Sequence, residues 1–141
     1  MSTESGAYTD RPAKEPYRVG FLLIENVTLI ALSTAVEPLR MANQLAGSEL
    51  YSWKLLTDGG GYARASDGIT MVPDGSIQEE HSFDLVIVVA GIDVPHSFSR
   101  KEVSWLKQMA RRHVLLGAVC TGPYVLAIAG LLDGHSCSAH C

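Results

Sequence analysis

The chain alternates between short, almost continuous apolar runs and longer stretches with helical spacing. Residues 18–24 (Arg-Val-Gly-Phe-Leu-Leu-Ile) form an unbroken apolar run of strand length, as expected for a strand covered on both faces in a parallel sheet. From residue 29 to 45 the period changes: Leu32, Val36, Leu39 and Asn43 recur at helical spacing, and Ala35 and Ala42 widen the stripe. Residues 51–57 return to strand density and stop at Asp58-Gly-Gly-Gly61. Between residues 62 and 77, two short polar-apolar stretches flank Asp67-Gly68, whose positive φ preference predicts a small antiparallel hairpin.

Residues 83–90 (Phe-Asp-Leu-Val-Ile-Val-Val-Ala) are the clearest buried strand, expected to lie centrally and closed by Gly91. Ser99-Arg-Lys-Glu102 is a capping box. It opens a helix with Val103, Leu106 and Ala110 on one face, and Arg111, Arg112 and His113 complement the dipole at its end as a solvated terminus. A strand over 114–119 follows. Thr121 is placed to cap a last helix with Pro123 in its first turn, and the body 124–130 is apolar all round, which predicts burial. Leu131-Leu-Asp-Gly134 then turns the chain into a short strand-like segment. Strands alternating with helices predict an open α/β sheet with ligands at the carboxyl ends of its strands.

At 141 residues, 47% hydrophobic and 18% charged, the chain has the composition of one globular domain. The polar N-terminus, residues 1–16, reads as a disordered leader rather than a signal peptide, and no apolar run is long enough to span a bilayer. A net charge of −4 argues against direct attraction to nucleic acid. Three cysteines without a secretion signal fit a reduced, cytoplasmic setting.

The chemistry concentrates at Cys120, where an apolar strand ends abruptly before a helix. Free backbone N–H groups and the positive helix end at such a turn stabilise a thiolate or another anion. Asp93, Glu25, Asn26 and Thr28 follow strands and are candidates for the pocket wall. His135, Cys137, His140 and Cys141 cluster near the C-terminus. Their spacing fits no paired ligand motif, and alternate strand residues point to opposite faces, so neither a metal nor a cofactor is expected.

Three strings together carry a resemblance: Ala118-Val-Cys-Thr-Gly122, Ala129-Gly-Leu-Leu-Asp-Gly134 and Ala35-Val-Glu-Pro-Leu-Arg-Met-Ala-Asn43. In their order and spacing they resemble the ThiJ/PfpI branch of the class I glutamine amidotransferase-like superfamily. More closely, they are similar to the N-terminal domain of AraC-type transcription regulators, over residues 17–141. The resemblance implies a flavodoxin-like three-layer sandwich with a mostly parallel sheet. It also implies a further strand and closing helix beyond His140, so the domain is expected to be incomplete, with an exposed apolar patch and association as a homodimer. DNA contact is expected only through a helix-turn-helix domain, which is not expected within these residues.

Carried over by position, the family's elbow cysteine falls on Cys120 and its later histidine on His140. Gly91 and the Thr121 backbone N–H take the places of an oxyanion hole. The acid that the family's enzymes hold after the first strand falls on Ala31. Glu37, six residues on, lies about 240° around a helix and points elsewhere; Glu25 would have to substitute from a neighbouring loop. The implied function is therefore a sensor of a small effector, such as arginine, betaine or carnitine, whose site is built from Cys120, Thr121, Gly91, Glu25, Asn26 and His140. The alternative is a cysteine-dependent enzyme, a hydratase, hydrolase or glyoxalase-like catalyst, using Cys120 and His140.

Overall fold

The computed structural model describes residues 15–79 and 81–136. Most of the expected leader, together with Cys137, His140 and Cys141, lies outside the described residues. The chain runs β1 (Tyr17–Leu23), α1 (Leu29–Ala46), β2 (Tyr51–Thr57), β3 (Ala63–Arg64), β4 (Thr70–Met71), β5 (Gly75–Ser76), β6 (Leu85–Val89), α2 (Arg100–Arg111), β7 (Leu115–Val119) and α3 (Gly122–Ile128).

Five strands form one parallel sheet in the order β5-β2-β1-β6-β7, and β3 pairs with β4 as a separate antiparallel hairpin. The middle strand is β1, with β6 next to it. Both are interior strands, which explains why their sequences are continuous rather than alternating apolar runs. Side chains of β1 divide between two cores. Val19, Phe21 and Leu23 face α1 through Leu32, whereas Leu22 and Ile24 join Trp105, Leu106 and Met109 of α2 and Val125 and Leu126 of α3. The result is a flavodoxin-like three-layer sandwich, with α1 on one face and α2 and α3 on the other.

The ends of α1 are set by different devices. Thr28 precedes it in an extended conformation without a side-chain cap, and Gly47 closes it in the left-handed region at φ 69°. Asn43 does more than extend the apolar stripe. Its Oδ1 accepts from the N–H groups of Leu50 and Tyr51 at 2.8 and 2.9 Å, and its Nδ2 donates to the Tyr51 carbonyl at 2.9 Å. One side chain thereby fixes where β2 begins. The capping box of α2 is present in full: Ser99 Oγ accepts from Glu102 N–H at 3.1 Å, and Glu102 Oε1 accepts from Ser99 N–H at 2.7 Å.

Four details depart from the sequence pattern. The buried face of α2 is Glu102, Trp105, Leu106 and Met109, with Val103 and Ala110 at its margin. Strand β5 is an addition: Gly75 and Ser76 have little strand propensity and pair because β2 presents its edge to them. Helix α3 is not buried all round, since Tyr124 and Ile128 are 40% and 52% exposed. Thr121 does not cap α3 through its side chain, which is engaged elsewhere.

Candidate functional site

The chain moves from β1 to β2 on one side of the sheet and to β6 on the other, so the order reverses between β1 and β6. Open α/β sheets bind ligands outside the carboxyl ends of strands at such a switch point. Here the loops after β1, β6 and β7 converge. Each contains one non-glycine residue in the left-handed region: Asn26 at φ 67°, Asp93 at φ 53° and Cys120 at φ 57°. Such conformations cost about 1 kcal/mol or more each, so surrounding contacts must hold them.

Those contacts are visible. Thr121 Oγ1 donates to the Gly91 carbonyl at 2.6 Å, tying the loop after β7 to the loop after β6. Asn26 Nδ2 donates to Ser97 Oγ at 3.1 Å, and Ser97 Oγ donates to the Asp93 carbonyl at 2.7 Å. Gly91 is required by closeness: a Cβ there would collide with the Asn26 carbonyl and lie 2.6 Å from Thr28 Oγ1. Gly122, directly after the elbow, is required in the same way, because a Cβ would run into the Val88 carbonyl. The elbow is therefore pressed against the ends of β1 and β6 by residues that carry no side-chain bulk.

This arrangement opens a cleft of about 690 Å³, walled by Ile30, Ala31 and Thr34 of α1, by Gly91 to Pro95, and by Val119, Cys120 and Thr121. The size lies within the usual range for small-molecule sites. Cys120 is half-buried, and its Sγ lies 3.9 Å from Thr28 Oγ1, a weak contact. Ala31 lines the same cleft, so the position onto which the resemblance carries an acid presents a methyl group to the cleft that Cys120 lines. Glu37 lies away from it, exposed and paired with Arg40 at 2.8 Å.

Glu25 does not join this cleft. It lines a second one, of about 260 Å³, together with Asp58, Tyr62, Ser97, Phe98, Ser99 and Glu102. Asn26 lines neither cleft; its Nδ2 holds Ser97, which lines the second. Glu102 is 5% exposed, and its carboxyl is pushed up from 4.5 to about 7, chiefly by burial and further by the charges of Asp58 and Glu25; the Ser99 hydrogen bonds oppose this. His135 is exposed, and no group of three or more His, Cys, Asp or Glu among the described residues is disposed to hold a metal ion. No helix among the described residues is long and apolar enough to cross a membrane.

The sequence pointed to Cys120, Thr121, Gly91, Thr28 and Asp93, and the structure brings these together in the elbow cleft. It did not single out Ile30, Thr34 or Ile92, although Thr34 follows Ala31 by one helical turn and so must share its face. Asp58 and Glu102 were missed as pocket residues because one reads as a turn residue and the other as a helix cap.

Residues 17–141 match the DJ-1/PfpI family over their whole length. The chain belongs to the DJ-1/PfpI family. Among its relatives, the HTH-type transcriptional regulator GbdR of Pseudomonas aeruginosa is 50% identical over 127 residues, covering 90% of this chain and 35% of that protein. The HTH-type transcriptional regulator GlxA of Rhizobium meliloti is 37% identical over 125 residues, covering 87% of this chain and 38% of that protein. The chain thus spans little more than a third of the length of these relatives. Among solved structures, an AraC family transcriptional regulator from Pseudomonas putida superposes with a TM-score of 0.76 at 28% identity, over 89% of this chain and 67% of that one. A ThiJ/PfpI family protein from Pseudomonas syringae gives 0.68 at 16% identity, over 95% and 54%, which supports the fold alone.

Proposed function

We propose that this DJ-1/PfpI domain is the small-molecule-sensing part of an AraC-type transcriptional regulator, binding its effector in the elbow cleft without turning it over. The observation that carries the reading is Ala31. A cysteine nucleophile needs a partner that takes or delivers a proton, and at Cys120 the acid's place holds a methyl group while, among the described residues, the hydrogen-bond contact of its Sγ is the Thr28 hydroxyl at 3.9 Å. What remains is a cleft of ligand size with mostly apolar walls and a few polar groups, which serves binding better than chemistry. The relatives named as transcriptional regulators support the same assignment.

The effector class that fits the resemblance is an amino acid or quaternary amine such as arginine, betaine or carnitine. Gly91, Cys120 and Thr121 would frame it, with Thr121 holding the elbow closed on Gly91. The test is titration calorimetry of the chain with L-arginine, glycine betaine and L-carnitine, repeated on Ala31→Trp, which fills the cleft. Saturable heat with one of the three that disappears in the variant, whose melting is unchanged, supports the reading. Heat that persists in Ala31→Trp moves the ligand out of the elbow cleft, and no heat with any of them rejects the effector class.

A further inference from the structure

Helix α1 turns apolar side chains toward solvent as well as toward the sheet. Ile30, Met41 and Leu45 are 72%, 50% and 86% exposed, and Thr34 and Pro38 between them are exposed as well. At about 100° per residue these five fall within about 80° of the helix circumference, opposite the core-facing Leu32 and Val36. They form one row about 22 Å long. Single exposed hydrophobics are ordinary on a monomer, whereas a continuous row marks a surface that meets something. One flank of the row is polar: Ser33, Glu37, Arg40 and Gln44 occupy the adjoining arc of about 60°. Arg40 donates to Glu37 Oε1 at 2.8 Å and to Gln44 Oε1 at 2.9 Å, and both charged side chains remain exposed. The opposite flank is Ala31, Ala35 and Ala42.

This pattern is its own complement when turned end for end. A two-fold axis perpendicular to α1 near Pro38 sets Ile30 opposite Leu45 and Thr34 opposite Met41, with Pro38 beside its own copy. The same axis returns the polar flank to the polar flank, where Glu37 meets Arg40 and Ser33 meets Gln44, each pair twice. A parallel pairing would instead lay that flank against Ala31, Ala35 and Ala42, whose side chains offer neither charge nor hydrogen bond. A lipid surface suits the row less, because interfacial helices carry several basic residues beside their apolar face and α1 has Arg40 alone. We propose that the row Ile30, Thr34, Pro38, Met41 and Leu45 is a self-association surface, on which a second copy of this chain packs its own α1 antiparallel, with Glu37 and Arg40 paired across the two-fold. Ile30 and Thr34 also wall the elbow cleft, so the second copy lies along its rim. The pairing does not depend on what that cleft binds.

Sedimentation equilibrium of the intact chain over a range of concentrations should show a reversible dimer. Met41→Glu and Leu45→Glu, both at exposed positions, should each raise the dissociation constant about a hundredfold or more with the far-UV circular dichroism unchanged. Ile128→Glu, on the exposed side of α3, should dimerise as the parent does. Glu37→Arg and Arg40→Glu place like charges across the two-fold, so each alone should weaken pairing about tenfold. Mixed in equal amounts, the two variants regain both opposite-charge contacts in the heterodimer and should pair as tightly as the parent. A chain that stays monomeric, or a dimer that survives Met41→Glu and Leu45→Glu, overturns the proposal. Loss of the dimer in Ile128→Glu alone moves the interface to α3 and overturns it too. Charge variants whose mixture pairs no better than either alone overturn the antiparallel register. A chain that dimerises in this way but binds no effector leaves the proposal standing and counts against the sensor reading alone.

Discussion

Replacing Glu102 by glutamine removes a buried charge while keeping the cap, because a glutamine at this position can still accept from Ser99 N–H. In the folded chain the Glu102 carboxyl is raised from 4.5 to about 7, first by burial and then by Asp58 and Glu25. A raised carboxyl binds its proton more tightly in the folded than in the unfolded state. Its contribution to stability is therefore full below 4.5 and is lost as pH rises through about 7. Two and a half pH units at about 1.4 kcal/mol each give a swing on the order of 3 kcal/mol. The neutral glutamine carries none of this dependence. Urea unfolding of both proteins between pH 4 and 8 should show the difference in stability moving in favour of Glu102→Gln by about 3 kcal/mol, mostly between pH 5 and 7. A difference that stays constant across that range would refute the burial and charge crowding assigned to Glu102.

Three further substitutions test the elbow. Gly122→Ala forces a methyl group into the Val88 carbonyl and should cost about 1–3 kcal/mol in urea unfolding; a neutral effect would mean that α3 does not press on β6 as described. Thr121→Val removes the 2.6 Å bond to Gly91 and should lower stability by about 1 kcal/mol while weakening effector binding, whereas unchanged affinity would separate the elbow from the site. Ala31→Glu puts a carboxylate into the cleft that Cys120 lines, where its charge disfavours the thiolate, so alkylation by iodoacetamide should slow at a given pH and its pH profile move upward; an unchanged alkylation profile would place residue 31 outside the sulfur's surroundings.

Much of the sheet was legible because interior parallel strands must be continuously apolar, and β1 and β6 are. The capping box of α2 was legible because both partners lie within one turn. What escaped was set by tertiary context. Gly75 and Ser76 pair only because β2 offers them an edge, and α3 looks fully apolar whether or not a neighbour covers Tyr124 and Ile128. The elbow cleft was found through Cys120 and Gly91, whose positions follow strand ends, and the left-handed Asn26 and Asp93 belong to the types that tolerate that conformation. The acidic cleft was invisible in the sequence because Glu25, Asp58 and Glu102 are far apart in it, and each has a routine local explanation. Only the order of strands brings them together.

The central claim is that the elbow cleft binds an effector and leaves it unchanged. One proton NMR time course of the effector with equimolar protein reads both halves: line broadening reports binding, and integrated intensity reports consumption. Broadened resonances whose intensity stays constant over hours are expected. A loss of intensity with new product signals, abolished in Cys120→Ser, would contradict it and make Cys120 a nucleophile.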